Sequence, residues 1–218
     1  MIPDNITIAE SGVRDGIIWK LTTKGELILT GKYTGAKAGD ELSFENFQWK
    51  AYMNQIYTAY VDVENLSSLR DMFREFTALK RVSFGTNMNK GTVVTMRSAF
   101  NSATSLTSMD STNLNTENVT NMFRAFSGCS SLQKLDLSGF DTKNVTDMSW
   151  MFAEDTKLKE VNLQKFDTSG VPNMANMFLD CKNMKSIRVG SNWDMTRVNA
   201  EGKAFFMFSG CGVSNVTI

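Results

Sequence analysis

Apolar residues recur along the chain at a nearly constant interval, which indicates a repeated structural unit. A phenylalanine marks each copy, and successive copies are 27, 26, 26, 26 and 30 residues apart. These phenylalanines are Phe73, Phe100, Phe126, Phe152, Phe178 and Phe208. An internal period of about 20 to 50 residues is typical of proteins whose units pack against their neighbours, and this one has leucine-rich-repeat length. The sequence therefore predicts stacked copies that share a continuous core.

Each copy combines two spacings of apolar residues, which predict two different elements. In the segment VTDMSWMF, at residues 145–152, apolar residues three and four positions apart predict one face of a short helix. The segment LKEVNL, at residues 158–163, has the L-x-x-L-x-L form of a strand in which Val161 and Leu163 point inward. One helix and one strand per copy predict an α/β fold.

The three cysteines all lie three residues after the repeat phenylalanine, at Cys129, Cys181 and Cys211. In the same position other copies carry Phe76, Ala103 and Asp155. A position that accepts alanine or cysteine is predicted to be small and buried, with free thiols packed as small apolar groups. A disulfide between Cys181 and Cys211 on neighbouring copies is an alternative, and a catalytic thiol would lack a histidine to activate it.

Acidic or amide side chains occupy one turn position that follows the strand in several copies. They are Asn115, Asp141, Asp167 and Asp194. We expect Asx turns, in which each side chain accepts a hydrogen bond from the backbone two residues on. The threonine that follows several of them suits local hydrogen bonding of this kind. The alternative is a ladder of oxygen ligands for Ca²⁺.

The outward positions of the predicted strands are the candidate partner-binding surface. They are polar and carry charges of both signs, and no aromatic side chain lies among them. The candidate binding residues on this face are Arg81, Asp110, Lys134, Asp136, Glu160, Asn162 and Arg188. Extended faces of this kind recognise macromolecules in other repeat proteins.

Large aromatic residues interrupt two positions that are otherwise mostly polar, just before the repeat phenylalanine. They are Phe123, Trp150 and Phe206. Exposed aromatic side chains can anchor a partner, so Trp150 joins the candidate binding residues. Alternatively, these rings cover a neighbouring copy.

Composition removes several functional classes. The chain has 218 residues and no histidine, which excludes Ser-His-Asp and Cys-His catalysis and the commonest transition-metal ligand. Three cysteines cannot form a four-cysteine zinc site. The 23 basic residues balance 23 acidic ones, so the charge gives no support for a nucleic-acid partner. We predict a protein without a cofactor or enzymatic activity.

Targeting signals give less information. No apolar run approaches the length of about 18 residues that spans a membrane, so no membrane span is predicted. The opening MIPDNITIAESG lacks the basic and apolar regions of a signal peptide. Two interpretations remain: the protein is intracellular, or Met1 opens a chain from which a leader was removed.

The repeat unit resembles that of a known family. The phrase NVTxMxxMFxxCxxLxxLxLxxFDT, followed closely at residues 118–142 and 144–168, is similar to the repeat of BspA-like leucine-rich-repeat surface proteins of host-associated bacteria. The resemblance covers about residues 64–218. The segments SGVRDGIIWKLTTKGELILTGKY (residues 11–33) and FQWKAYMNQIYTAYVDV (residues 47–63) also resemble the module that precedes the repeats in that family.

This resemblance implies a secreted or cell-surface bacterial protein that binds a protein or glycan on host or neighbouring bacterial cells, as in adhesion, without enzymatic activity. The alternative is a structural spacer that only displays another domain. An enzyme, the third class, would need an acid and a base converging in a pocket. The first copy lacks the NVT and FDT phrases, Pro172 replaces threonine in the fifth, and RVNAEGKAF (residues 197–205) is inserted before the last.

These observations predict the following architecture. Residues 1–62 form a small β-rich module in which GELILTG is a strand, and residues 63–218 form a right-handed solenoid of about six coils of about 26 residues. Phe140, Phe166 and Trp193 are expected to stack beside the strands. The last strand, ending at Ile218, is expected to be covered by a downstream region, by the insertion or by self-association.

Overall fold

A computed structural model describes residues 7–37 and 42–216, and its regular structure is mostly strand. The strands of the described residues are β1 (Ile8–Arg14), β2 (Ile17–Thr22), β3 (Glu26–Lys32), β4 (Thr58–Glu64), β5 (Arg81–Phe84), β6 (Ser108–Asp110), β7 (Lys134–Asp136), β8 (Glu160–Leu163) and β9 (Ser186–Val189). The helical elements there are α1 (Thr196–Ala200) and two 3₁₀-helices at Gln48–Tyr52 and Thr86–Lys90.

The N-terminal part is β-rich, and its strands continue into the repeats. Strands β1, β2 and β3 pair antiparallel, and β3 then pairs parallel with β4, which pairs with β5. Asp15 and Gly16 join β1 to β2 with φ angles of 52° and 78°, as the favoured two-residue hairpin turn requires. The strand predicted in GELILTG is β3. The predicted domain boundary falls within β4 and stays a prediction, because a shared sheet does not decide the number of folding units.

The repeat strands pair in parallel, and equivalent positions face each other. Val82 pairs with Met109 across β5 and β6, and Val161 pairs with Leu135 and Ile187 across β7, β8 and β9. Along β8 the predicted alternation is confirmed: Val161 and Leu163 are buried, whereas their neighbours Glu160 and Asn162 are exposed and half-buried. The period in the sequence therefore predicted the strand register correctly.

The predicted short helix is wrong. Residues 145–152 form an isolated parallel bridge followed by turns. Alternate amides of this segment donate to the next copy, from Met148 to the Asn173 carbonyl (3.0 Å) and from Trp150 to the Ala175 carbonyl (2.9 Å). An α-helix would use these amides within the segment. The second side of each repeat is therefore a second hydrogen-bonded ladder, here called the bridge ladder. It spans residues 68–77, 95–104, 121–130, 147–156, 173–182 and 203–212.

Left-handed backbone conformations make the bridge ladder possible. In each copy two residues four positions apart have φ between 52° and 77°. These pairs are Asp71 and Glu75, Ser98 and Ser102, Arg124 and Gly128, Trp150 and Glu154, Asn176 and Asp180, and Phe206 and Gly210. The intervening amides close short turns inside the copy, as between the Met151 amide and the Met148 carbonyl (3.3 Å). Such turns keep the apolar spacing of three and four residues that had suggested a helix.

The core is a column of equivalent side chains between the two ladders. Rings of successive repeat phenylalanines stack with centroids 5.3–5.9 Å apart and planes within 20° of parallel, from Phe73 to Phe208. The methionines of one shared position are fully buried beside them, at Met96, Met122, Met148 and Met174. The predicted packing role of these residues is confirmed.

The second predicted aromatic ladder is wrong. Phe140 and Phe166 are buried and Trp193 is partly buried, but no ring contact joins any two of the three within the described residues. The period places the three rings at equivalent positions and does not fix their orientation. In the inserted segment, α1 buries Val198 in the core, while Thr217 and Ile218 lie outside the described residues. The covering of the last strand stays a prediction.

The left-handed position of Glu154 gives a test of the bridge ladder. Glu154→Gly should stabilise the protein by about 1 kcal/mol, because glycine adopts positive φ without the steric cost that other residues have there. Gly128 already occupies the equivalent position with a φ of 77°. The measurement is the free energy of unfolding in urea.

Two control variants isolate the backbone effect. Glu154→Ala removes the same charge but keeps the strained φ and should give no gain. Lys157→Gly places glycine at an exposed position without positive φ and should destabilise. Equal effects of glycine at residues 154 and 157 would contradict the account.

Candidate binding surface

The structure gathers the candidate residues of the strand face along β5 to β9. Arg81 lies on β5, Asp110 on β6, and Lys134 and Asp136 on β7, and all are exposed. Glu160 and Asn162 follow on β8, and Arg188 on β9. Trp150 lies on the bridge ladder instead, so the structure does not bring it together with the others. Whether these residues bind a partner stays a prediction.

A cleft lies beside a break in the sheet, lined by strand residues and by the turns that follow them. Strand β6 ends one sheet and β7 begins the next, and no strand pairing joins them. The cleft at the break has a volume of about 500 Å³. Its polar lining includes Asn89, Asp110, Ser111, Asn115, Asp136 and Ser138, and no lysine or arginine lines it. The break was not predicted, because β6 and β7 carry the same repeat pattern as the paired strands.

The two aspartates of this cleft are held in their charged form. The Thr112 amide donates to Asp110 Oδ1 (3.1 Å), and the Ser138 amide donates to Asp136 Oδ1 (2.9 Å). Hydrogen bonds from Thr112 lower the pKa of Asp110, and the backbone hydrogen bond from Ser138 lowers that of Asp136. The cleft is therefore acidic and rich in hydrogen-bond acceptors.

A second, smaller cleft of about 180 Å³ lies beside it and carries both signs of charge. Lys134, Asp136, Glu160, Asn162 and Arg188 are among its lining residues. The Nζ of Lys134 lies 2.9 Å from Oε2 of Glu160, and this hydrogen bond lowers the pKa of Glu160. Both side chains are exposed, so the pair orients charge on the surface rather than stabilising the fold appreciably.

The Asx turns predicted after the strands are confirmed. The Lys143 amide donates to Asp141 Oδ1 (3.1 Å), and the Ser169 amide donates to Asp167 Oδ1 (3.0 Å). Asn115 and Asp194 accept in the same way from the residues two positions on. No group of three or more acidic or cysteine side chains converges as a metal site in the part of the chain that the structure describes.

The threonine after the Asx residue acts between copies, not locally. The Thr142 hydroxyl donates to the Asp167 carbonyl (3.0 Å) and accepts from the Asp167 amide (2.9 Å). Thr116 clamps Asp141 in the same way, and Thr168 clamps Asp194. In the recurrent Asp-Thr pair, the aspartate therefore shapes the turn, and the threonine joins that turn to the next copy.

Two cysteines occupy the predicted small buried position. Cys129 and Cys181 are fully buried, Cys211 is partly buried, and all three are free. The Cys181 thiol donates to the Phe152 carbonyl (2.9 Å), and the Cys129 thiol donates to the Phe100 carbonyl (3.3 Å). Burial raises the pKa of both thiols. They are therefore neutral, which disfavours nucleophilic chemistry.

A buried aspartate, Asp155, occupies the same repeat position as these cysteines, and the sequence alone did not reveal its importance. Asp155 is fully buried between the copies that carry Cys129 and Cys181. Its Oδ1 accepts from the Cys129 amide (2.7 Å), and its buried Oδ2 has no hydrogen-bond partner among the described residues. Burial raises the pKa of this carboxyl well above its ordinary value. The only signal was its place in a position otherwise occupied by phenylalanine, alanine and cysteine.

Sequence comparison assigns the chain to a family. The profile of the family described as "Mycoplasma protein of unknown function, DUF285" matches residues 43–136 and 94–216, which together are most of the chain. The chain belongs to the DUF285 family. A search of curated proteins found no match to this DUF285 chain.

One solved leucine-rich-repeat structure shares the fold of the DUF285 chain, and two others resemble it less. A leucine-rich repeat protein from Eubacterium ventriosum superposes with a TM-score of 0.53 at 16% identity, over 84% of the DUF285 chain and 44% of its own. The T. pallidum Leucine Rich Repeat protein has a TM-score of 0.43 at 17% identity, over 82% and 71% of the two chains. A leucine rich cell surface protein from Faecalibacterium prausnitzii has a TM-score of 0.40 at 19% identity, over 83% and 54%.

The DUF285 chain thus spans less than half the length of the E. ventriosum protein, and that likeness shows a leucine-rich-repeat fold alone. The name BspA-like, suggested by the repeat phrase, is not established by these comparisons. Among the described residues of the DUF285 chain, no helix is both long enough and apolar enough to cross a lipid bilayer.

The buried Asp155 predicts an unusual pH dependence of stability for this DUF285 chain. Its raised pKa means that the folded protein keeps a proton that the unfolded chain releases above the ordinary value of 3.8. The free energy of unfolding should therefore fall as pH rises above 3.8 towards the folded pKa. Asp155→Asn removes this titration, so the variant should gain stability relative to the parent as pH rises from acidic to neutral.

Urea denaturation at several pH values measures this difference. Asp136→Asn is the matched control, because the pKa of Asp136 is lowered and its removal should cost stability at neutral pH rather than in acid. A difference between Asp155→Asn and the parent protein that does not change with pH would refute the assignment of Asp155 as a protonated core residue.

Proposed function

We propose that this chain is a non-enzymatic binding module whose repeats form a right-handed solenoid of about six coils. In this proposal the strand face holds a protein or glycan ligand. The observation that carries the proposal is the pair of adjoining clefts along β6 to β9, one acidic and one of mixed charge. The lining of both includes outward strand side chains, such as Asp136, that do not fill the core.

Different side chains of each repeat pack the core, link the copies and face solvent, and this separation supports the proposal. The repeat phenylalanines, methionines and cysteines fill the interior, and threonines link neighbouring copies. The outward residues of the strands do not fill the interior, so the packing of the core leaves them free to differ from copy to copy. A face of this kind suits recognition of an extended ligand by several weak polar contacts.

Non-enzymatic binding is favoured over catalysis by the state of the reactive groups. The chain has no histidine, and Cys129, Cys181 and Asp155 are buried in the core. A secreted or cell-surface location, with adhesion as the role, is part of the proposal. Its support is the resemblance of the repeat phrase to surface proteins of host-associated bacteria.

Alanine substitution on the strand face tests the proposal. The probe is an array of extracellular-matrix proteins and bacterial surface glycans, on which the purified chain is expected to bind a subset. Asp136→Ala combined with Asn162→Ala should weaken that binding at least about tenfold, the loss expected when hydrogen bonds to a charged group are removed. Lys165→Ala, at an exposed turn outside both clefts, is the matched control and should change nothing.

The alternative function is a structural spacer that displays another domain. It is favoured by how much of each copy serves stacking, including the buried clamp of Thr142 on Asp167. A spacer would bind nothing on the array, and Asp136→Ala with Asn162→Ala would then have no ligand to lose. Retained binding in that double variant would place the ligand elsewhere and overturn the strand-face proposal.

Self-association through the last described repeat is a further part of the proposal. Phe205 and Phe206 are 53% and 66% exposed there, and their rings contact each other edge-on. Light scattering over a range of concentrations should show an increase in mass that Phe205→Ser with Phe206→Ser abolishes. A constant monomer mass would refute this part alone.

A further inference from the structure

Four arginines line a cleft of about 220 Å³ on the bridge ladder of three successive repeats. They are Arg70, Arg74, Arg97 and Arg124, and the acids of the same cleft are Glu45 and Asp71. None of these residues belongs to the strand face or to its two clefts. Four guanidinium groups against two carboxylates give the cleft a net charge of +2, in a chain whose formal net charge is +0.

The arginines divide into two kinds by their partners. Arg70 and Arg74 are compensated, since their nitrogens lie 3.3 and 4.0 Å from oxygens of Asp71, and Arg74 also lies 3.6 Å from Glu45. Within residues 7–37 and 42–216, Arg97 and Arg124 have no carboxylate within 4.0 Å. Two positive charges of the cleft therefore lack a counter-charge.

Aromatic rings hold these two charges in place. The Arg97 guanidinium carbon lies 4.8 Å from the centre of the Phe123 ring, and that of Arg124 lies 5.3 Å from the same ring and 4.7 Å from Trp150. In the part of the chain that the structure describes, the buried Nε of Arg124 has no acceptor, so stacking rather than a hydrogen bond holds this end of the guanidinium. Stacking of this kind leaves the outer edge of a guanidinium free to meet a ligand.

The fold does not require these side chains. Arg124 and Trp150 have φ angles of 53° and 60°, a conformation that favours small residues. Other copies fill the same position with Ser98 and Asn176 and form the same inter-repeat hydrogen bonds. Packing alone therefore does not account for an arginine and a tryptophan here.

We propose that Arg97 and Arg124, stacked on Phe123 and Trp150, form a binding site for the carboxylate of an acidic protein segment. A guanidinium edge matches a carboxylate in a two-pronged hydrogen bond, and the two uncompensated charges attract it. The cleft is smaller than the roughly 300 Å³ at which small-molecule pockets begin, which suits the end of a glutamate or aspartate side chain. This site goes beyond the proposed strand-face function and does not depend on it.

An acidic glycan fits the same cleft less well. Sugar rings commonly stack on an open aromatic face, but arginines already lie against Phe123 and Trp150. Glu45 and Asp71 also line the cleft and would repel a densely charged chain. A single carboxylate between Arg97 and Arg124 avoids both difficulties.

Fluorescence anisotropy with designed peptides tests the site. The probe is a short labelled peptide of alternating glutamate and glycine, compared with the same peptide carrying glutamine, at low ionic strength. The full chain should bind the glutamate peptide at least about tenfold more tightly, and added salt should weaken that binding. Arg97→Gln with Arg124→Gln should remove the preference.

Matched variants separate this site from general charge effects and from misfolding. Lys157→Gln with Lys165→Gln removes the same charge from exposed turns outside all three clefts and should leave peptide binding unchanged. Arg97→Glu with Arg124→Glu, at two half-exposed positions, changes the net charge of the cleft from +2 to −2. This variant should prefer a lysine peptide, a gain that an unfolded variant cannot give. Circular dichroism confirms the fold of each variant.

Three results would overturn the proposal. The first is equal binding of the glutamate and glutamine peptides by the parent chain. The second is an unchanged preference in a folded Arg97→Gln, Arg124→Gln variant. The third is binding of a heparin oligosaccharide, lost in that variant, with no binding of the glutamate peptide, which would assign the cleft to acidic glycans instead.

Discussion

The donation of backbone amides from one copy to the next is the interaction on which the rest of this structure depends. It occurs on both sides of each repeat, in the parallel strands and in the bridge ladder. A buried amide without an acceptor is costly, so each copy requires a neighbour in register. That register brings equivalent side chains face to face, and the column of phenylalanine rings follows from it.

Much of this fold could be predicted from apolar spacing, because a strict period makes every copy bury the same positions. Strand pairing, the inward direction of Val161 and the phenylalanine column all follow from that period. The predicted helix at residues 145–152 was wrong, because a spacing of three and four apolar residues also arises in a chain of short turns. The spacing shows which side chains are buried, whereas the acceptor of each amide depends on backbone angles such as the positive φ of Trp150.

The surfaces were less predictable, for a different physical reason. Outward strand residues could be identified from alternation, but the break between β6 and β7 could not, because both strands carry the same repeat pattern. The arginine cleft had a visible signal, since Arg97 lies 26 positions before Phe123 and Arg124 lies 26 before Trp150. At one repeat length apart, such pairs are direct neighbours. Comparing positions across copies, rather than within one copy, would have found the contact.

The threonine clamp has a consequence for how such chains can change. The Thr142 hydroxyl hydrogen-bonds to the amide and carbonyl of Asp167, and every residue except proline possesses both groups. The join between two copies is therefore indifferent to the side chains displayed by either of them. Whole units could be inserted, deleted or exchanged by recombination with the join preserved, while the exposed residues diversify independently.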